Sequence, residues 1–324
     1  SYVLECWYSS PLTEVQLSEF VGDGKIEERP TGDEGDFPGP HCIVPSGMRC
    51  ILDPLLNDGI ENRILCNQEV VKVSRKFNQN GKIKESVVVS TSSGLVVEAD
   101  VCVVTIPLGC LKDAIKSRNE NNGLFHPNVS VEKIQAINAL SMGCYKKVFL
   151  TFSEIFWPVH EPFIGIIRTE VETTDSSAWL GDCLFIDNIW TRNGIPSFEV
   201  TLVGKAGKCS VSKSDKFIRE NVIKFLQQAF FENSSTFSVS DSCTDCHITR
   251  WEEDRFSKGA YSGYILGTQP HHTEALNQSE WNGMLIFAGE ATSDEYEGSV
   301  HGALLSGIEA SDKVVSILEK NNRE

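Results

Sequence analysis

Near the C-terminus the chain reads MLIFAGEATSDEYEGSVHGALLSG, residues 284–307. An apolar run ends in Ala-Gly-Glu, and a stretch of small residues then leads into a helical pattern. Glu290, behind Gly289, puts a carboxylate at the C-terminal tip of a buried strand, the place where α/β sheets bind ligands. Gly298 and Ser299 are small enough to let a flat ligand approach. The helix that opens at Val300 offers free N–H groups and the positive end of its dipole to an anion or an electron-rich ring. A strand, a turn and a capped helix with no ligand would give the same pattern.

Other reactive residue types carry less. Cys243-Thr-Asp-Cys246-His247 fits a c-type haem attachment pattern. It runs straight into a strand, however, and lacks an obvious second axial ligand. Zinc would need two more ligands at sensible spacing, and none is apparent. His271-His272 is read as part of a solvated polar loop. His301 is read as a group of the helix cap region rather than a base. No metal site is expected.

Bulk properties narrow the chemistry further. The chain has 324 residues, 29 Lys and Arg against 45 Asp and Glu, and a formal net charge of −16. Nucleic acid is disfavoured as a ligand, because phosphate contacts need clustered cations. A small cationic substrate would be attracted. Eleven cysteines without framework spacing favour a reducing compartment, the cytoplasm first, with nucleus or peroxisome as alternatives. No window reaches the length of a membrane span, and oligomeric state is not legible. The chain starts in mid-pattern, like a piece of something longer.

Pattern and turn signals then give the elements that must position these residues. A helix over 13–20 is followed by a loop rich in Gly and Pro, and a short strand starts at Cys42. A helix over 48–56 and a strand over 63–75 come next. A hairpin follows, with strands at 86–90 and 95–98. The run 101–105 reads as a strand buried on both faces, stopped by Pro107. After a polar loop at 119–122, a helix over 131–140 leads to strands at 147–152, 163–168, 184–190, 198–205 and 247–251. Among these strands lies an amphipathic helix, 214–231, with Ser214 as N-cap. A buried strand, 285–288, and a helix, 300–318, close the chain. Segments 41–114 and 281–324 share one style, and 115–280 interrupts them. The expected class is α/β (α+β). One domain is built from discontinuous segments, with a β-sheet-plus-helix domain inserted.

Residues 284–307 closely resemble the C-terminal flavin-binding signature of the flavin-dependent amine oxidases. That family holds the polyamine and spermine oxidases, the monoamine oxidases and the LSD-type histone demethylases. Four further stretches agree in order: Val44-Pro-Ser-Gly-Met, Arg63-Ile-Leu-Cys-Asn-Gln-Glu-Val-Val-Lys-Val, Val103-Val-Thr-Ile-Pro-Leu-Gly-Cys-Leu-Lys and Met142-Gly-Cys-Tyr-Lys-Lys-Val-Phe-Leu-Thr-Phe. The resemblance implies FAD as cofactor, with the discontinuous domain a partial Rossmann-like FAD-binding domain, the inserted β-sheet-plus-helix domain a substrate domain, and residues 1–40 part of the substrate or helical region. Glu290 would bind a ribose or ribityl hydroxyl, and Gly289, Gly298, Ser299 and Val300 would meet the flavin. Val70 would lie near the adenine end, with Thr105 and Pro107 passing the cofactor. Lys147 would be the lysine that holds a water against flavin N5, leaving Lys146, on the opposite face, to snorkel to solvent. In TRWEEDRFSKGAYSGY, 249–264, the resemblance implies aromatic walls for a substrate amine. Trp251 and Tyr261 would be catalytic, with Trp251 also touching the cofactor. Phe256, Tyr261 and Ser299 would meet the substrate, because a cationic or neutral amine sits well against a π face.

The implied activity is oxidation of a small cationic amine, a polyamine first, with hydride transfer to flavin N5 and oxygen reduced to hydrogen peroxide. LSD-type demethylation of lysine is one alternative, and a cofactor-free interaction module or pseudoenzyme is another. The family's N-terminal βαβ unit with G-x-G-x-x-G has no counterpart here. Weak or absent FAD binding by this chain is therefore expected. Glu5 and Glu14 are weaker candidates for holding a distal ammonium.

Overall fold

The computed structural model describes residues 10–14, 44, 46–56, 59–77, 85–116, 123–168, 176–181, 183–231 and 236–321. The expected strand at Cys42, the loop 119–122, Glu5 and most of the helix over 13–20 lie outside the described residues. Only a single 3-10 turn, Leu12–Glu14, is described from that first helix.

The largest sheet is antiparallel and five-stranded. It contains β7 (Lys146–Phe152), β8 (Phe163–Ile167), β9 (Cys183–Asn188), β10 (Ser197–Leu202) and β11 (Cys243–Ile248), in the order β11-β7-β10-β9-β8. Alternation along β7 sends Val148, Leu150 and Phe152 to one face, where they meet Phe198 and Val200 of β10 in register. That face is covered by the helix Asp215–Phe231, whose Ile218, Val222, Phe225 and Leu226 are buried. Its start is capped as expected, with Ser214 Oγ accepting from Phe217 N at 3.3 Å. Aromatic rings lock the far end of this core. Trp157 and Phe198 lie 4.1 Å apart between centroids, and Phe156 meets Phe152 edge-on at 5.0 Å.

The second core collects the remaining strands. β1 (Val70–Lys76), β2 (Ser86–Thr91), β3 (Val96–Ala99) and β5 (Phe125–His126) form a sheet in the order β3-β2-β1-β5. The predicted hairpin is β2-β3. The predicted strand over 63–75 begins only at Val70, because residues 61–63 close a 3-10 turn. The helix α1 (Arg49–Leu56) agrees with expectation, whereas α2 (Leu108–Lys116), which starts directly after Pro107, is a helix that the pattern does not predict. α3 (Val131–Ala139) is capped by Ser130, whose Oγ accepts from Lys133 N at 3.1 Å.

α3 packs beside the helix Pro270–Asn277. The fully buried Lys133 donates to the carbonyls of Leu276 and Gln278 at that helix's C-terminal end. The loop expected at His271-His272 is instead the first turn of this helix. Pro270 fixes its φ, and His272 Nδ1 accepts from Gln269 N at 2.9 Å.

The piece that carries the opening motif is a parallel pair, β4 (Cys102–Val104) and β13 (Leu285–Phe287), with Leu285 opposite Cys102 and Phe287 opposite Val104. Leu285 and Phe287 face the second core, while Ile286 and Ala288 face the last helix, Val300–Asn321. That helix presents a ridge of small residues, Gly302, Ser306 and Ala310, and all three are buried. A Cβ on Gly302 would lie 2.0 Å from Tyr296 O, so only glycine permits this approach. Ser306 Oγ accepts from Gly289 N at 2.9 Å.

The ridge reaches β13 but not β4. For that reason Val103 is 38% exposed, and the run 101–105 is not buried on both faces as expected. Leu304, Leu305, Ile308 and Val315 on the helix's other faces are exposed as well. A small antiparallel bridge pairs β6 (Ser141–Met142) with β12 (Ser262–Gly263) and connects the two regions. The result is the mixed α/β architecture expected from the pattern. Among the described residues, no helix is long and apolar enough to cross a membrane.

Candidate functional site

Both parallel strands end at one cavity of about 570 Å³, within the roughly 300–1,000 Å³ usual for cofactor and ligand sites. One wall is the exit of β4, residues Thr105, Ile106 and Pro107, continued by Leu108 and Leu111 of α2. The next wall is the exit of β13, from Phe287 and Ala288 through Gly289 and Glu290 to Thr292, with Ala303 of the last helix beside it. The opposite side comes from the five-stranded sheet and its neighbours. It consists of Met142, Tyr145 and Lys147, then Trp251, Ser257, Gly259, Ala260 and Tyr261. Thus Thr105, Pro107, Lys147, Trp251, Tyr261, Gly289 and Glu290, far apart in sequence, line one space.

Glu290 is held on three sides. Its Oε1 accepts from Ser262 N at 3.1 Å, and its Oε2 accepts from the Ser262 hydroxyl and from Gly298 N at 2.7 Å. The carboxylate therefore ties the tip of β13 both to β12 and to the turn entering the last helix. Gly298 has φ +68°, and a Cβ there would come within 3.0 Å of Tyr261 Cδ2, so the glycine sets how closely that ring approaches. Ser299 acts as the helix cap, with Oγ donating to Tyr296 O at 2.6 Å and accepting from Gly302 N at 3.0 Å. His301 stays in this cap region, its ring 4.7 Å from that of Tyr296.

Gly298, Ser299 and Val300 stand behind the cavity wall rather than in it, and Val300 is exposed. Val70 is partly exposed at the start of β1, and Phe256 is exposed with the Arg255 guanidinium over its ring. Neither lines the cavity.

Of the two consecutive lysines of β7, Lys146 behaves differently from expectation. Lys146 does not snorkel. It lies on the core face, fully buried, bonded to Thr249 O at 3.1 Å and ion-paired with Glu252. Burial of an ammonium demands such a partner. This pair, together with Arg250 bonded to Asp215 Oδ1 and Lys213 O, fixes the turn that carries Trp251. Lys147, on the other face, reaches the cavity and pairs with Glu199 of β10 at 2.6 Å.

Sequence reading missed Tyr145. Its ring lies 6.0 Å from that of Tyr261 at 46°. The available signal was its position two residues before Lys147, which alternation puts on the same side. Nearby, burial pushes the Cys144 thiol up to about 11, which keeps it in the unreactive protonated form.

The donor set suits the ring end of a flavin. The cavity couples an apolar wall with the backbone of two strand exits. A Cβ built on Gly289 would meet nothing within 4 Å, so the strand tip faces open volume where a flat ring can rest. No glycine-rich phosphate loop occurs in the sequence. Among the described residues, no cluster of His, Cys, Asp and Glu could hold a metal ion, and Cys243 and Cys246 sit along β11.

The sequence profile described as "Flavin containing amine oxidoreductase" matches residues 33–315. The chain is 30% identical over 295 residues to Polyamine oxidase 2 of Arabidopsis thaliana, covering 90% of this chain and 53% of that protein. It is 28% identical over 310 residues to Polyamine oxidase 4 of Oryza sativa subsp. japonica, covering 96% and 54%. It is 29% identical over 293 residues to Lysine-specific histone demethylase 1 homolog 3 of Arabidopsis thaliana, covering 89% and 16%. The chain thus spans about half the length of the polyamine oxidases it matches, and less of that demethylase. The profile runs through both strand exits, the lysine strand and the last helix around the cavity, and the chain belongs to the flavin containing amine oxidoreductase family.

Proposed function

We propose that this chain contributes the flavin end and the amine end of a site that oxidises a small cationic amine, with FAD as cofactor and a polyamine as substrate. The observation that carries the reading is the meeting of the two parallel-strand exits with Lys147 and Tyr261 across a single cavity. Glu290 and Gly289, with Thr105 and Pro107 opposite, are the residues that would hold the ring. When bound, the flavin supplies a two-electron acceptor for hydride from the carbon next to nitrogen, and oxygen then carries the electrons away as hydrogen peroxide.

The chain's own residues do the rest. Tyr261, Tyr145 and Trp251 present π faces to the amine and exclude water from the reacting carbon. Lys147 keeps a donating N–H at Nζ on the cavity wall, where it can fix a water molecule. The charge of −16 favours arrival of a cation. The cysteines described are free, which suits the cytoplasm or another reducing compartment. Similarity to a histone demethylase at a comparable identity favours a second reading, in which the amine is a methylated lysine.

The test is anaerobic mixing of the FAD-loaded protein with spermine, spermidine or a dimethyl-lysine peptide while flavin absorbance is followed. Bleaching by a polyamine is expected, and its loss in Lys147→Met with flavin retained is expected too. Bleaching by the peptide alone moves the assignment to demethylation, and bleaching by none of them removes the oxidase reading.

A further inference from the structure

We propose that Glu199 is the positioning residue for Lys147, an inference that rests on the site reading above. Glu199 lies in the middle strand of the five, with Phe149 of β7 on one side and Asp187 of β9 on the other. Its side chain is only 8% exposed, and its Oε1 is 2.6 Å from Lys147 Nζ. A carboxylate so buried needs a cation or several donors. On the β9 side its opposite residue is another carboxylate, Asp187, which takes Arg192 at 2.8 Å. Like charges placed directly opposite repel, so Glu199 is driven to the β7 side.

There Lys147 is already fixed by its backbone. Its N–H donates to Thr249 Oγ1 at 2.9 Å, and its carbonyl accepts from Thr249 N at 3.0 Å. The main chain is thus held from Thr249, the residue after β11, and the side chain from β10. A flexible four-carbon stem is reduced to one place, with Nζ at the wall of the cavity rather than in its open volume. Without Glu199 the same stem has the freedom of an ordinary lysine.

The test uses the full chain and trace acetylation of lysines with acetic anhydride, read by mass spectrometry. The exposed Lys216 is the internal reference, and the fully buried Lys146 reports opening of the strand. Glu199→Gln, which keeps the shape, should raise the Lys147-to-Lys216 ratio about fivefold, as expected when a half-exposed ammonium loses its carboxylate. Glu199→Met, suited to a buried site, should give the same rise. Glu199→Asp keeps the charge and should stay within about twofold of the native ratio. In the FAD-loaded protein, Glu199→Gln should lower kcat with KM nearly unchanged, and Glu199→Asp should restore most of it.

An unchanged ratio in Glu199→Gln overturns the proposal. So does a rise in which Lys146 labels in step with Lys147, because that reports loosening of the sheet alone. Failure of the native protein to oxidise any amine overturns the site reading, while the labelling ratio still decides whether Glu199 holds Lys147.

Discussion

The carboxylate of Glu290 accepts a 2.7 Å hydrogen bond from the backbone N–H of Gly298, so the tip of β13 is tied to the turn that enters the last helix. The same carboxylate takes two donors from Ser262. Glu290→Gln replaces one acceptor oxygen by an NH2 group that faces a donor. A hydrogen bond to a charged group contributes about 1.5–3 kcal/mol. We therefore expect Glu290→Gln to lower unfolding stability by about 2 kcal/mol, measured by urea titration without flavin. A loss confined to flavin affinity, with stability unchanged, would mean that the tie is not structural.

Gly298 offers a second, smaller perturbation of the same corner. Ala at φ +68° costs about 1 kcal/mol. Its methyl would also press on Tyr261 Cδ2, 3.0 Å from the built Cβ. Gly298→Ala is expected to displace the Tyr261 ring toward the cavity and raise KM for amines. The displacement is read as a change in tyrosine fluorescence or ring NMR shifts in the Gly298→Ala protein. A KM at the native value would separate the ring from substrate binding.

Lys133 gives the stability of the fold a pH dependence of defined sign. Burial pulls its pKa down to about 7 from an ordinary 10.5, against a raising influence from Glu280. Between these values the unfolded chain binds more protons than the folded one, so stability rises with pH from about 7 upward. Lys112, lowered to about 8 by burial, acts in the same direction. Above pH 9 the rise flattens, because Cys144 and Cys246 are raised from 9.0 to about 11 and hold their protons longer in the folded state, which offsets the two lysines. The carbonyls that accept from Lys133 favour its charged form, so the gain is at most a few kcal/mol. The urea midpoint should increase between pH 7 and 8.5, and Lys133→Met should flatten most of that slope. A native protein whose midpoint falls over the same window would show that Lys133 stays charged.

The cavity is built for a ring and lacks a glycine-rich cradle for a pyrophosphate. Riboflavin should therefore bind this chain within about tenfold of FAD, since oriented N–H groups on the phosphates normally supply the difference. Quenching of flavin fluorescence with both ligands checks this. A much larger preference for FAD would require a phosphate site elsewhere on the chain.

Much of the site was legible because its residues fall in runs with their own punctuation. The Ala-Gly-Glu tip, Pro107 after β4 and the small residues before the last helix each mark a strand exit or a helix start, and the structure brings the two strand exits to one cavity with the helix start behind its wall. What failed depended on long-range packing. Alternation in β7 correctly separates Lys146 from Lys147, yet only the fold tells which face receives a carboxylate. It supplies one to each, from Glu252 and Glu199, some 100 and 50 residues downstream respectively. The run 101–105 has the composition of a doubly covered strand, but the ridge of the last helix reaches only β13. His271-His272 reads as a loop by polarity, whereas Pro270 and the His272 ring start a helix there.

The consecutive lysines fasten β7 in two directions at once, like a rivet with a head on either side. Behind the sheet Lys146 secures the turn bearing Trp251, and in front Lys147 grips β10. Removal of a single residue just upstream of this pair would turn every side chain of the strand over. Both heads would then face the wrong plate, and the tryptophan turn and the cavity floor would come loose together, although neither loop had been altered.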